Sequence, residues 1–140
     1  MERLNFGKQT LTILKSKASA KKKSHTERDE HIKFVTWLKA QGYRVSHAAN
    51  GGYRNALEAM QFKRMGVSAG FPDIFVPIPT EHYHGFFIEM KSHTGGKISD
   101  WQADWLKYLQ DNGYYANVAH GFEDAKAQFL EYLNDFPKAA

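Results

Sequence analysis

The chain has no cysteine. Disulfides, thiolate zinc sites and cysteine nucleophiles are therefore closed to it. No apolar run approaches the roughly 20 residues needed to span a bilayer. The N-terminus carries scattered lysines without the continuous apolar core of a signal peptide. Internal repeats and a second folded domain are absent too. These absences predict a soluble, intracellular protein. Enough remains to build a core: of 140 residues, 42% are hydrophobic and 14% aromatic, which suits one two-layer domain that folds without staples.

Positive charge is abundant but uneven. Residues 1–28 hold eight Lys/Arg against Glu2 and Glu27, so more than the whole formal net charge of +4 sits there. The body that follows is slightly acidic. A basic arm over residues 1–23, attached to a domain over 24–140, suits contact with a polyanion such as nucleic acid. The bland alternative is a solvated tail that aids solubility.

The spacing predicts a helix from Ser24 to Gly42, with Ser24 and Glu27 as a capping box, Gly42 as its stop, and Ile32, Phe34, Val35 and Leu38 as the buried stripe. A strand is expected over Tyr43–Ala49, then a tight turn at Asn50-Gly51-Gly52. A second helix begins with Asn55 as N-cap and reaches Met65. Short strands follow at Asp73–Pro77, ended by Pro77 and Pro79, and at Phe86–Lys91, with a polar connection between them. A flexible loop over Ser92–Lys97, a helix from Ser99 to Gly113, a strand over Tyr114–Ala119 and a helix over Phe122–Phe136 complete the chain. The order α-β-α-β-β-α-β-α predicts an α/β fold, a mixed β-sheet flanked by helices.

The chemistry concentrates between Gly70 and Lys91. Side chains alternate along a strand, so Glu89 and Lys91 share a face while Met90 points to the other. Asp73, at the mouth of the neighbouring strand, sits beside them if the strands pair suitably. Close carboxylates repel unless a cation lies between them. Mg²⁺ takes hard oxygen ligands and keeps several waters, so Asp73, Glu89 and the Met90 backbone carbonyl form a plausible set. Such an ion polarises a phosphate and acidifies a bound water, and Lys91 offsets the charge that develops. Taken singly, an Asp after Gly-Phe-Pro is a turn cap and Glu-x-Lys a surface ion pair. Their joint occurrence on adjacent strands favours a metal-dependent nuclease.

Gly70-Phe71-Pro72-Asp73, then Glu89-Met90-Lys91, then Gln102 resemble the PD-(D/E)xK nuclease signature. More narrowly they resemble the VRR-NUC (virus-type replication-repair nuclease) domain. Its pattern adds a first-helix Glu, here Glu27 or Glu30, an Asn-Gly element, here Asn50-Gly51-Gly52, and a Ser-x-x-Gln helix start, here Ser99 to Gln102. The likeness spans roughly residues 24–135. Each motif is weak alone, but their order and context together are strong. The resemblance implies a restriction-endonuclease-like fold and a Mg²⁺- or Mn²⁺-dependent endonuclease. It further implies hydrolysis of branched DNA in the manner of a Holliday-junction resolvase, by a homodimer whose two-fold axis matches that of a four-way junction. Free-standing members of the family are small phage-type proteins, which suggests the cytoplasm of a bacterial host or a phage-encoded protein.

Several residues carry two readings. Glu27 shares a face with His31 and Leu38 and is preferred over Glu30, with capping the alternative for Glu27 and an exposed face that for Glu30. Gln102 either closes a capping box with Ser99 or reaches the active site. Tyr53, Arg54, Lys63 and Arg64, beside Asn50 and Gly51, and Lys97 on the Gly95-Gly96 loop are candidate DNA contacts or plain solvated surface. His82 and His84 have strand spacing but no third ligand at a telling distance, which weighs against a metal site. Trp101, Trp105 and Tyr108 are expected to serve as core and dimer surface rather than as a platform for bases. Two other functions compete: a nucleic-acid-binding module without catalysis, whose binding would ignore Mg²⁺, and a restriction-like enzyme for duplex DNA.

Overall fold

The computed structural model describes residues 26–48 and 55–134. The elements run α1 (Glu27–Ala40), β1 (Ser46–His47), α2 (Ala56–Arg64), β2 (Ile74–Val76), β3 (Phe86–Lys91), α3 (Asp100–Asp111), β4 (Tyr115–His120) and α4 (Phe122–Leu133). This is the α/β order read from the sequence.

Local chemistry sets most of the boundaries. Thr26 caps α1 in a reciprocal box with Asp29, which places the helix start two residues beyond Ser24, a residue outside those described. α1 closes in a Schellman turn, with Gly42 N–H bonded to the Lys39 carbonyl and Tyr43 N–H to that of Leu38, both at 3.0 Å. Asn55 accepts from Glu58 N–H at 2.8 Å to begin α2, and Ser99 caps α3. α4 has Gly121 at its N-cap and no side-chain cap of its own. Asn134 is its C-cap, and the rest of the expected Phe122–Phe136 helix lies outside the described residues.

The sheet order is β1-β2-β3-β4. β1 and β2 pair antiparallel, as do β2 and β3, whereas β3 and β4 run parallel. β3 is therefore central, and Phe86 through Met90 are all buried. On one face Ile74, Val76, Phe86, Ile88, Met90 and Ala119 pack against Phe34 and Leu38 of α1 and Ala125, Phe129 and Tyr132 of α4. On the other, Phe87 and Ala116 pack against Leu106 and Leu109 of α3, with Phe71, Phe75 and Trp105 at the margin. Each large apolar side chain so enclosed contributes about 2 kcal/mol.

Two expectations change. Of the strand expected over Tyr43–Ala49, only Ser46–His47 is formed among the described residues, which exclude Ala49, because the partner β2 offers it only Phe75 and Ile74. Ile32 is 53% exposed. The stripe that α1 buries is instead Glu30, Phe34 and Leu38, a spacing of four residues that keeps one helix face toward the sheet. No side chain of α2 is buried.

Candidate active site

The β2–β3 register brings the acidic residues together. Val76 faces Phe86, Phe75 faces Phe87 and Ile74 faces Ile88. One further step sets Asp73 opposite Glu89, and directly opposed residues of an antiparallel pair project from the same face. That is the α3 face of the sheet, since Phe87 lies two residues before Glu89 and packs on α3. Like charges placed so destabilise a sheet, and the surroundings show why they are held there.

Asp73 is anchored through backbone and side chain. Its carbonyl accepts from Ala48 N–H at 3.0 Å and from His47 Nδ1 at 2.8 Å. Its Oδ2 accepts from Met90 N–H at 2.9 Å. The carboxylate thus takes the place of a ladder partner at the point where β2 gives out. The N–H and C=O of one extended residue lie on the same strand edge, so the Met90 carbonyl faces the Asp73 side of β3.

Glu89 is only 3% exposed. Its Oε1 accepts from Gln102 Nε2 at 2.7 Å and lies 3.7 Å from Lys91 Nζ. Its Oε2 is buried without a hydrogen-bond donor among the described residues. Burial first, and the neighbouring Asp73 charge second, push the Glu89 carboxyl up to about 8, against a smaller opposing pull from Lys91. The approach of Glu89 to Asp73 becomes a hydrogen bond when one of the two carboxyls carries a proton. An orphaned buried oxygen, a second carboxylate across the strand gap and a backbone carbonyl on the same edge form an all-oxygen set that suits a hard divalent cation. Among the described residues no group of three or more His, Cys, Asp or Glu side chains forms a metal cage. Two protein carboxylates with waters completing the shell match the habit of Mg²⁺.

α3 is delivered to this pair by a close backbone approach. Gly70 has φ +83, and a Cβ there would lie 2.4 Å from the Trp101 carbonyl carbon and 2.7 Å from Gln102 N. Only glycine lets the loop before Asp73 touch the first turn of α3. The two readings of Gln102 then prove compatible. Its oxygen accepts from Ser99 N–H at 2.9 Å, and this leaves the amide NH₂ directed at Glu89.

The first-helix acids part company. Glu30 is buried, and its Oε2 accepts from Phe122 N–H at 2.6 Å. It thereby supplies α4 with the cap that Gly121 cannot. Its Oε1 lies 3.8 Å from His93 Nδ1. The exposed face weighed for Glu30 is excluded. Capping by Glu27 is likewise replaced, since Asp29 closes the box. Glu27 is exposed, one turn before His31 on α1.

Lys63, Arg64 and Lys97 are exposed on α2 and on the loop after β3, apart from the carboxylate contacts. Asn50, Gly51, Tyr53, Arg54 and the basic arm lie outside the described residues. His84 stacks edge-on against Tyr114 with ring centroids 5.6 Å apart.

Sequence reasoning overlooked His47 and His31. Their rings meet edge to face at 4.6 Å. Burial, helped by His47, lowers the His31 pKa, and the Asp73 charge opposes that shift. No spacing pattern links positions 31, 47 and 73; the β1–β2 register sets His47 beside Asp73, and the packing of α1 brings His31 to His47.

The comparisons speak to family and fold. Residues 17–123 match the family model described as VRR-NUC domain. A solved structure titled VRR_NUC domain protein superposes with a TM-score of 0.70 at 29% sequence identity, covering 80% of this chain and 91% of the other. No curated protein matches the chain.

Proposed function

The chain belongs to the VRR-NUC family, whose domain implies a nuclease of the PD-(D/E)xK type, and on that premise we propose that it is a Mg²⁺- or Mn²⁺-dependent endonuclease that cuts branched DNA as a homodimer. The observation that carries the catalytic half is the opposed pair Asp73 and Glu89, with Glu89 buried, bonded to Gln102 and flanked by Lys91. Asp73, Glu89 and the Met90 carbonyl would hold the cation, which supplies phosphate polarisation and a more acidic water.

The remaining work falls to the chain's own groups. Lys91 places a positive charge beside the carboxylates, where negative charge grows on the phosphoryl oxygens during attack. Gln102 fixes the rotamer of Glu89 and covers its Oε1. Met90 N–H and His47 hold Asp73, so that neither carboxylate must reorganise when substrate arrives. Glu27, on the α1 turn before His31, is the first-helix acid left to act near the site. Lys63, Arg64 and Lys97, together with Asn50, Gly51, Tyr53, Arg54 and the arm, are assigned to phosphate contacts.

Branch preference and dimerisation are proposals of symmetry: paired cuts in a two-fold junction need two sites in matching orientation. The deciding experiment offers the protein linear duplex, flap, splayed-arm and four-way DNA, each with Mg²⁺ and with EDTA, while sedimentation reports its mass. Metal-dependent cutting that favours branched forms, lost in Asp73→Asn and Lys91→Ala, is the expected result. Cutting that persists in EDTA or in both variants overturns it. Membrane association has no support in the helices: among the described residues none is long and apolar enough to cross a bilayer.

A further inference from the structure

α3 carries an aromatic stripe that begins at the active site. Trp101, Trp105 and Tyr108 fall on one helix face by their spacing. Trp105 packs edge-on against Phe71 at 5.0 Å and against Tyr108 at 5.7 Å. Phe71, two residues before Asp73, packs in turn on Phe87 at 5.6 Å. The inner members of this chain are thus core. Trp101 is different. It is 67% exposed, more than any other aromatic side chain among the described residues.

Its backbone is nonetheless held tightly. The Ser99–Gln102 box closes around it, and Gly70 abuts its carbonyl carbon and Cβ. Its neighbour Gln102 touches Glu89, and consecutive Cα atoms are ~3.8 Å apart. α3 runs antiparallel to β3, since Gln102 meets Glu89 at one end while Gln110 Nε2 donates to the Ala116 carbonyl at the other. Of the whole stripe, Trp101 is therefore nearest the carboxylates. Ile98, 38% exposed, precedes it, and exposed Lys97 comes just before that.

We propose that Trp101 is a stacking platform for an unpaired nucleotide base, placed at the lip of the active site to select DNA whose strands separate next to the scissile phosphate. The inference rests on the nuclease reading and adds to it a substrate feature and the residue that reads it. A phosphate bound by a cation that Asp73 and Glu89 would hold brings its neighbouring nucleotide to the first turn of α3. A base inside a duplex has both faces covered, whereas one at a branch point has a face to offer. A rigidly mounted indole meets that face without loss of backbone freedom, and base–aromatic stacking tolerates any sequence. A second copy of the chain seated on Trp101 would close the lip against the strand to be cut, which argues for the base over self-association.

The test uses the Asp73→Asn protein, chosen to suppress cleavage of the probe, with Trp101 retained or changed to Ala or Phe. The probes are a splayed-arm DNA carrying 2-aminopurine as its first unpaired base and the matching blunt duplex. With Trp101 present, 2-aminopurine fluorescence is quenched on binding. Trp101→Ala abolishes the quenching and weakens splayed-arm binding about tenfold, so the ratio of splayed-arm to duplex affinity falls with it. Trp101→Phe keeps most of both. Equal affinity and equal quenching in Trp101→Ala overturn the proposal. So does a fall in sedimenting mass in that variant, which would make the face a contact between copies. Failure of the parent protein to bind any DNA removes the nuclease reading itself and the platform with it. Circular dichroism confirms that an exposed substitution leaves the fold intact.

Discussion

Gln102 donates its side-chain N–H to Glu89 at 2.7 Å while its oxygen is fixed by Ser99 N–H at 2.9 Å. One amide thus ties a helix start to a carboxylate on the central strand. Ser99→Ala and Gln102→Ala separate the two duties. Each removes part of the cap and lowers stability by about 1 kcal/mol, as urea unfolding would show. Only Gln102→Ala frees the Glu89 carboxylate, and its cleavage rate falls by about 10–100-fold. Equal rates in the two variants would reduce Gln102 to a cap.

Gly70 is the hinge point of that tie. Alanine there meets both a left-handed backbone at φ +83 and a Cβ 2.4 Å from backbone. Gly70→Ala is expected to cost about 3 kcal/mol or more, with activity lost alongside stability because α3 must withdraw from Glu89. Denaturant midpoints check the first effect and cleavage assays the second.

Burial of Glu89 and, after it, the opposed Asp73 charge make metal-free stability depend on pH. Glu89 moves from an ordinary 4.5 to about 8 on folding, so between those values the folded chain binds more protons than the unfolded one. Its contribution therefore declines as pH rises from about 4.5 to 8 and levels off above. In EDTA the melting temperature of Glu89→Gln should lack this decline. A wild-type curve as flat as that of the variant across the window would refute the assignment.

Asp73→Asn should exchange activity for stability. The amide oxygen can still accept from Met90 N–H while the repulsion with Glu89 disappears. We expect a higher melting temperature in EDTA and cleavage reduced at least about a hundredfold. A variant that is both less stable without metal and still active contradicts the reading of the pair.

Glu30 and Glu27 are told apart by stability. Glu30→Ala leaves Phe122 N–H without its 2.6 Å acceptor and should cost about 1–3 kcal/mol. Glu27→Ala, on exposed surface, should stay within about 0.5 kcal/mol. A marked loss of cleavage in Glu27→Ala would then report on the site rather than on the fold.

Much of the molecule was legible beforehand because its signals are local. Caps and glycine stops announced α2 and α3, and alternation of side chains predicted that Glu89 and Lys91 share a face. The start of α1 is less legible, since Ser24 and Glu27 match the Ser/Thr-x-x-Glu pattern while the folded helix closes its box with Thr26 and Asp29. Ile32 was misassigned because an apolar side chain at helical spacing does not reveal that a carboxylate, Glu30, takes the buried position instead.

What the sequence by itself determined is which candidate groups stand on which elements: two acids, a lysine and a glutamine, each at the end of a strand or the start of a helix whose own residues specify it. What only the tertiary structure decided is how those groups meet. Register is a long-range property of paired strands, so Asp73 opposite Glu89 could not be counted from either strand alone. Glu30 beneath Phe122, His47 behind Asp73 and Gly70 against Trp101 join segments far apart in the chain, and such contacts exist only once the sheet has closed between its two layers of helices.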